Sequence, residues 1–407
     1  MCKKINLLFF ILLLCGLSGC SRAAAAPEQG QHRMTDISSA EAEILSMTGS
    51  IQETETLMGD RIILTDEEIF ARHAESVPPG SYASLDTVIR NRDRIFFQIS
   101  YSEEMAQYTY RNQLYVRSLG KDEDTLLYDT SDAYCLNGIC ANDMYLYWVE
   151  YVSSPKSDGA GVSVSFKVMQ CQLDNGNISC IAERNGDDYY DMSLQVSDRF
   201  LTWYDVHIQD PEPTVELVVF DIEKQRFQER TAVEGDIQGL TVALYNSYMG
   251  ITENGITYFM KDDREQLYIR RENLDTGATD TILLGETKPY DKIAACFSDS
   301  RYIGWYTDYG DRGDYYFYDT DSEKLYLWNA KKDGMYIFSN YFCGGKLYFN
   351  NTANHYVYVW DLPTGQVRCQ NFGEDAYWIR SYGDGNLLYL GTSSIDTAGC
   401  CALHGGD

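Results

Sequence analysis

Asn91-Arg92-Asp93-Arg94-Ile95-Phe96-Phe97, Ala141-Asn142-Asp143-Met144-Tyr145-Leu146-Tyr147 and Val196-Ser197-Asp198-Arg199-Phe200-Leu201 are copies of one pattern, a polar turn running straight into an apolar strand. Thr252-Glu253-Asn254-Gly255-Ile256-Thr257-Tyr258, Ser298-Asp299-Ser300-Arg301-Tyr302-Ile303, Cys343-Gly344-Gly345-Lys346-Leu347-Tyr348-Phe349 and Gly383-Asp384-Gly385-Asn386-Leu387-Leu388-Tyr389 continue it. With Ile95, Tyr145, Phe200, Ile256, Tyr302, Leu347 and Leu387 as anchors, the spacing is roughly 40 to 56 residues, the interval of one propeller blade. A second hairpin falls between most anchors, at residues 114–128, 166–181, 215–227, 267–283, 315–327 and 356–369. Its turns, such as Leu173-Asp174-Asn175-Gly176, Leu274-Asp275-Thr276-Gly277 and Asp361-Leu362-Pro363-Thr364-Gly365, carry glycine where a positive φ is needed. Two hairpins per repeat predict an all-β propeller of about seven four-stranded blades. Tandem β-sandwiches are the alternative that irregular repeat lengths leave open.

The last repeat has a first hairpin at 377–390 and no second, while Arg61-Ile62-Ile63-Leu64 stands unpaired near the start of the domain. That early segment is expected to complete the last blade, leaving no open sheet edge between the two chain ends.

Composition agrees with sheet. The chain has 33 tyrosines, 8 prolines and 44% hydrophobic residues, enough for a large core built from residues suited to a pleated surface. Its formal charge is −28, which argues against partners that present phosphate backbones, so nucleic acid is excluded, as is flat docking on anionic lipid.

The first residues read as an export signal. Lys3 and Lys4 are a short positive region, residues 5–14 are almost wholly apolar, and Leu17-Ser18-Gly19-Cys20 is a small-residue cleavage site. The apolar stretch is shorter than the ~20 residues a spanning helix needs. Leu17-Ser18-Gly19-Cys20 resembles the lipobox of bacterial lipoproteins, which implies cleavage after Gly19 and acylation of Cys20, with a membrane-anchored protein on the extracytoplasmic face; an ordinary secretory signal with a chance cysteine is the alternative. The expected organisation is a signal peptide at 1–19, lipidated Cys20 with a flexible tether at 20–56 holding a short helix near 40–47, a propeller at 57–396 and a tail at 397–407. From about residue 57 to 394 the strand rhythm and the Asp-x-x-x-Gly turns resemble the TolB-like and WD40-like β-propellers, particularly lipid-anchored ones of bacteria. A Trp-Asp dipeptide occurs only at Trp360-Asp361, so the resemblance implies the fold and carries no function residue by residue.

Signals of chemistry are sparse. The five histidines, His32, His73, His207, His355 and His404, lack the spacing of a zinc site, and no nucleophile elbow, phosphate loop or dinucleotide fingerprint appears. Asp187-Asp188 with Asp191, and Asp308, Asp311 and Asp314, are acidic loops that read as solvated charge, with calcium the competing reading. No other cofactor is indicated. Arg312-Gly313-Asp314 reads as a tight turn. Among the cysteines, Cys171 and Cys180 face each other if Asn175-Gly176 is a two-residue turn, which makes them a candidate disulfide; Cys135, Cys140, Cys400 and Cys401 read as buried or tail thiols.

Tyr134, Tyr190, Tyr245, Tyr290, Tyr336 and Tyr377 each lie about ten to twelve residues before an anchor, where an innermost propeller strand begins. Gathered at one mouth of a central channel they suit sugars, peptides or cationic groups; packed between blades they are structural. Trp148, Trp203, Trp305 and Phe259 share a position three residues after their anchors and read as inter-blade packing. Two functions remain. One is a non-catalytic platform binding an envelope protein, peptide or glycan; the other is a polysaccharide-active glycosidase or lyase with carboxylates at the mouth.

Overall fold

The first hairpin of each repeat is set by a short polar side chain that closes its own turn. The Asn142 Oδ1 accepts from the backbone N–H of Met144 and Tyr145 at 3.0 and 2.8 Å, and the Asp299 Oδ1 from Arg301 and Tyr302 at 2.8 and 2.6 Å. The Ser197 Oγ does the same for Arg199 and Phe200. In the computed structural model, which describes residues 32–47, 51–55, 58–76, 79–102, 109–121, 123–130, 134–155, 162–185, 194–207, 214–228, 250–252, 254–261, 264, 266–286, 293–309, 312–351, 353–371, 378–380, 387–391 and 397–403, these turns bring Arg94, Tyr145, Phe200, Gly255, Tyr302 and Lys346 into equivalent positions. Three expected anchors, Ile95, Ile256 and Leu347, therefore lie one residue late. Apolar pattern alone had placed them, whereas the backbone hydrogen bonds define the register.

Four strands and a helix precede the first repeat: β1 (His32–Asp36), β2 (Glu43–Leu45), β3 (Ile51–Glu53), β4 (Met58–Thr65) and α1 (Asp66–Arg72). The Thr65 side chain caps α1 by accepting from the Glu68 N–H at 3.2 Å, and three acidic residues fill its first turn. The first sheet follows as β5 (Tyr82–Asn91), β6 (Arg94–Ser102), β7 (Thr109–Ser118) and β8 (Asp124–Asp129), and the second as β9 (Tyr134–Ala141), β10 (Tyr145–Pro155), β11 (Val162–Gln172) and β12 (Ile178–Asn185). The third is β13 (Gln195–Val196), β14 (Phe200–His207), β15 (Thr214–Asp221) and β16 (Arg226–Phe227), and the fourth β17 (Gly250–Ile251), β18 (Gly255–Lys261), β19 (Gln266–Asn273) and β20 (Thr279–Glu286). Then come β21 (Ile293–Ser298), β22 (Tyr302–Tyr309), β23 (Arg312–Asp319) and β24 (Lys324–Asn329), followed by β25 (Ile337–Cys343), β26 (Lys346–Asn351), β27 (Tyr356–Asp361) and β28 (Gln366–Asn371). The seventh sheet has the order β29 (Trp378–Arg380), β30 (Leu387–Gly391), β31 (Thr397–Leu403) and β4.

The four consecutive strands of each of the first six repeats form an antiparallel meander, and the first strands lie against one another from sheet to sheet: β5 by β9, β9 by β13, β17 by β21, β21 by β25 and β25 by β29. They occupy the axis of a seven-bladed propeller. Strands β30 and β31 lie against β5, so packing passes from the seventh blade back to the first, and the tandem sandwich is ruled out. The early segment completes the last blade as expected: β4 pairs with β31 through Ile62–Cys400 and Leu64–Ala398. The expected tail is thus a strand of that blade, with Cys400 and Cys401 inside it.

The expected tether also differs over 32–53. Strand β1 adds in parallel to β20, β2 to β24 and β3 to β28, giving blades four, five and six a fifth strand. The segment is a strap across successive outer edges, and residues 43–45, read as helix, are extended. Between its strands it inserts apolar side chains: Ile37 joins Phe259, Ile282 and Trp305 between blades four and five, and Met47, fully buried, joins Trp328, Met335, Phe349 and Tyr358 between five and six. The Asp333 carboxylate holds the second insertion, accepting at Oδ2 from the Met47 N–H at 2.8 Å and the Trp328 Nε1 at 2.9 Å.

The Cys171–Cys180 disulfide is not formed, and both thiols are free. Residues 173–176 make a four-residue loop in which the Gly176 N–H donates to the Gln172 oxygen, with Gly176 at φ 72°. This pairs Cys171 with Ile178 and Cys180 with Met169, so the two cysteines are diagonal rather than opposed, one buried and one exposed.

Met47→Ala is expected to cost about 2–5 kcal/mol through the cavity it leaves, whereas Met34→Ala, 63% exposed on the strap's outer face, should stay within about 0.5 kcal/mol. Urea unfolding of the two variants beside the native protein tests whether the strap is integral to the domain.

Candidate functional site at the propeller axis

Sheet register now fixes where the expected tyrosines stand. Tyr134 opens β9 and pairs with Val152, and Tyr336 directly precedes β25, where its N–H donates to the Asn351 Oδ1 at 3.1 Å. Both lie at the starts of innermost strands, and Tyr336 is 55% exposed. Tyr190, Tyr245, Tyr290 and Tyr377 lie outside the described residues. Tyr82 is an additional member: it opens β5, pairs with Ser102 as Tyr134 pairs with Val152, and is 50% exposed. Counted from Ile95 it falls out of range, but counted from Arg94 it lies twelve residues upstream like the others.

Below Tyr82 the innermost strand bulges. Leu85 pairs with Ile99 and Val88 with Phe97, so Asp86 and Thr87 stand opposite the single residue Gln98. A bulge recurs near the same point in β9, β21 and β25, three to five residues into the second strand. Only in the first blade does it carry a charge. Indeed Asp86 is the one carboxylate among the described residues of the seven innermost strands, although the chain has 61 acidic residues.

A buried polar cluster stands behind Asp86. Gln98, Ser100 and Asn112 are almost entirely buried, on β6 and β7. The Gln98 Nε2 donates to the Ser100 Oγ at 3.0 Å and the Asn112 Oδ1 at 2.9 Å, and the Ser100 hydroxyl reaches the Asn112 Oδ1 at 2.7 Å and the Asp86 Oδ2. The Ser84 hydroxyl donates to the other Asp86 oxygen at 2.9 Å, and Thr130 ties down the backbone of Asn112 from the far side. The register equivalents of Gln98 are Val149, Tyr204, Phe259, Tyr306 and Asn350: the first four pack toward the next blade, whereas blades one and six place a buried amide at this point. Asp86 is accessible to solvent yet enclosed by surrounding protein, and burial raises its pKa against the lowering effect of Ser100 and Ser84.

A second polar group serves attachment. The His73 Nε2 lies 3.0 Å from the Asp124 Oδ2, Asp124 pairs with Arg117, and the Arg117 Nη1 reaches the Glu68 Oε1 at 2.9 Å. Burial pushes the Asp124 carboxyl up, but hydrogen bonds from Arg117 and His73 outweigh it and hold the pKa below its ordinary value. These contacts clamp α1 to the outer strands of blade one.

Among the described residues no group of three or more His, Cys, Asp or Glu could hold a metal ion. Asp187, Asp188, Asp191 and Asp311 lie outside them, while Asp314 accepts from the Asn329 Nδ2 at 2.6 Å. Arg312 to Asp314 form the first residues of a strand, paired with β22. Trp148, Trp203 and Trp305 pack between blades, as expected. Phe259 does so too, but faces the following blade, and Tyr258 is the register equivalent of the tryptophans. Cys140 and Cys296 are buried thiols whose pKa burial raises, to about 12 for Cys296, so neither is a ready nucleophile.

No family model matches the chain, and no curated protein matches it in sequence. Solved structures do. An acylaminoacyl peptidase in complex with a chloromethyl ketone superimposes with a TM-score of 0.50 at 13% identity, over 75% of this chain and 48% of that one. The β-propeller domain of the Trilobed protease from Pyrococcus furiosus matches at 0.48 and 13%, over 77% and 92%, and an oligogalacturonate lyase in complex with manganese at 0.47 and 11%, over 86% and 98%. The chain spans about half the length of the first of these. The first likeness is to the fold alone, that of a β-propeller.

Because the Asp86 pKa is raised in the folded state, the native protein binds a proton there that the unfolded chain has released, so its contribution falls as pH rises from the unfolded value through the raised one. Asp86→Asn should remove that component: its stability relative to the native protein should increase with pH above ~4 and level off below it. Denaturation of both proteins across a pH series checks the sign.

Proposed function

We propose that this protein is an extracytoplasmic, lipid-anchored binding platform that presents one mouth of its propeller to a protein, peptide or glycan of the envelope. The observation that carries the reading is the axial end of the first blade, where exposed Tyr82 stands at the start of an innermost strand above the polar bulge of Asp86, with Tyr336 at the start of the corresponding strand of blade six. Exposed aromatic rings with polar tips suit sugar faces, peptide side chains and cationic groups. Anchoring rests on Lys3, Lys4, the apolar run and Leu17-Ser18-Gly19-Cys20. Among the described residues no helix is long and apolar enough to cross a membrane.

The strap changes what an anchored form would look like. Cys20 precedes β1 by only eleven intervening residues, a span on the order of 20 Å for a flexible chain. The rim of blades four to six would then stay close to the membrane.

Two experiments test the two halves. Cys20→Ser in the native host should move the protein from the membrane to the soluble fraction; continued membrane association would refute acylation as the anchor. A screen of cell-wall fragments, glycans and peptides on the domain from residue 32 should yield a saturable ligand whose affinity falls at least about tenfold, ~1.4 kcal/mol, in a folded Tyr82→Ala/Tyr336→Ala variant. Undiminished affinity would place the ligand elsewhere.

A further inference from the structure

We propose that Asp86 and the cluster behind it form a receptor for a primary ammonium group entering along the propeller axis. The inference rests on the binding-platform reading and names the ligand class for that mouth. It begins with proton counting. Ser100 has one hydroxyl proton, and its contact of 2.7 Å with the Asn112 Oδ1 requires it, because neither oxygen has another proton to share. The contact between the Ser100 Oγ and the Asp86 Oδ2 then takes its proton from the carboxyl group, so the arrangement is complete when Asp86 is the neutral acid. The Gln98 Nε2 donates to the Asn112 Oδ1 and so turns that oxygen toward Gln98 and Ser100, while Thr130 holds the Asn112 backbone.

A neutral acid at this place stands ready to respond to a cation. When a primary ammonium binds, the Asp86 carboxylic acid releases its one proton to the buffer, and the carboxylate left behind pairs with the ammonium, which keeps all of its own protons. The Ser100 hydroxyl turns toward the new carboxylate, and the Ser84 hydroxyl already donates to its other oxygen. Among the described residues burial, Ser100 and Ser84 are the influences on Asp86, and no charged side chain is among them. The elements packed against β5 carry in their sequences, as titratable or charged groups, Arg94 and Tyr101 on β6, Tyr134, Cys135 and Cys140 on β9, Tyr389 on β30, Cys400 and Cys401 on β31, and Asp66, Glu67, Glu68 and Arg72 on α1. Tyr82 lies four residues toward the strand start, roughly 13 Å away along the strand. An exposed ring at that distance is within reach of a peptide of about four extended residues whose charged end is at Asp86.

Isothermal titration in mildly acidic buffers of two ionisation enthalpies tests this on the domain from residue 32. The probes are n-butylammonium, triglycine amide, which offers only an amino-terminus, and N-acetyl-lysine amide, which offers only a side chain. At least one should bind with release of close to one proton, and which of the last two binds tells the source. Asp86→Asn should keep the fold, since its amide can donate to Ser100 as the acid does, and lose both the proton release and at least about tenfold in affinity. Binding without proton release, or binding unchanged in Asp86→Asn, overturns the proposal. If none of the three binds, the ammonium receptor is wrong, while the platform reading is judged separately by the tyrosine variant and the wider screen.

Discussion

The burial of aromatic side chains between neighbouring sheets is the interaction on which this molecule depends. A four-stranded meander has two faces and no core of its own, so each sheet is stable only when both faces are covered. Phe97, Trp148, Trp203, Tyr258, Trp305 and Phe349 occupy one register position and are buried, each among residues of adjacent sheets or of the elements that flank them. Such packing has no natural end. The seventh sheet must therefore cover the first, and it can do so securely only if the two ends of the chain are locked into one sheet, as β4 and β31 are. The Asx turns reinforce the same sequence of contacts, since the Asn142 Nδ2 donates to the Ser197 oxygen at 3.1 Å and the Asp299 Oδ2 accepts from Gly345. Sheet packing and turn-to-turn hydrogen bonds thus follow one path around the axis.

The outer rim poses the opposite problem, because each outermost strand is an unpaired edge. On blades four to six the strap covers it with parallel strands and uses the gaps between blades to bury Ile37 and Met47. Charged side chains assist at the surface, as in the pairs Arg33–Glu323 and Lys324–Glu43, which contribute little individually. A chain that enters a domain in this manner cannot also be a free tether.

Strand rhythm made the fold legible because it repeats: seven turn-strand patterns, six second hairpins and one orphan strand suffice for the blade count and for the shared last sheet. What escaped had no repetition to reveal it. The strap strands are three to five residues long, their partners are about 250 to 320 residues away, and parallel pairing leaves no hairpin signal. Ile37 and Met47, ten residues apart in a polar stretch, were the available trace. The disulfide failed for a related reason: a Gly turn does not specify loop length, and two extra loop residues shift every pair after it. Tyr82 was missed by one residue of misregistration, and Asp86 because one acid among 61 is invisible until strands are assigned to the axis.

The first blade is where repetition and chemistry part. In blades two to five the position facing the next sheet is given to Val149, Tyr204, Phe259 and Tyr306, which strengthen the ring, and in blade six to the buried amide of Asn350. At Gln98 the molecule forgoes apolar contact, then satisfies the buried polar atoms with Ser100, Asn112 and Thr130 in succession. A network of this kind, fully hydrogen-bonded, adds little net stability over a packed side chain, and it holds geometry tightly. Its place is also selective: the blade beside the shared last sheet can be spared some packing, because β4, α1 and the clamp of Arg117, Asp124 and Glu68 brace its other face. The loss of apolar contact toward the second blade is thus offset on the face toward the seventh, which leaves the inner strand free to hold a carboxylic acid at the axis.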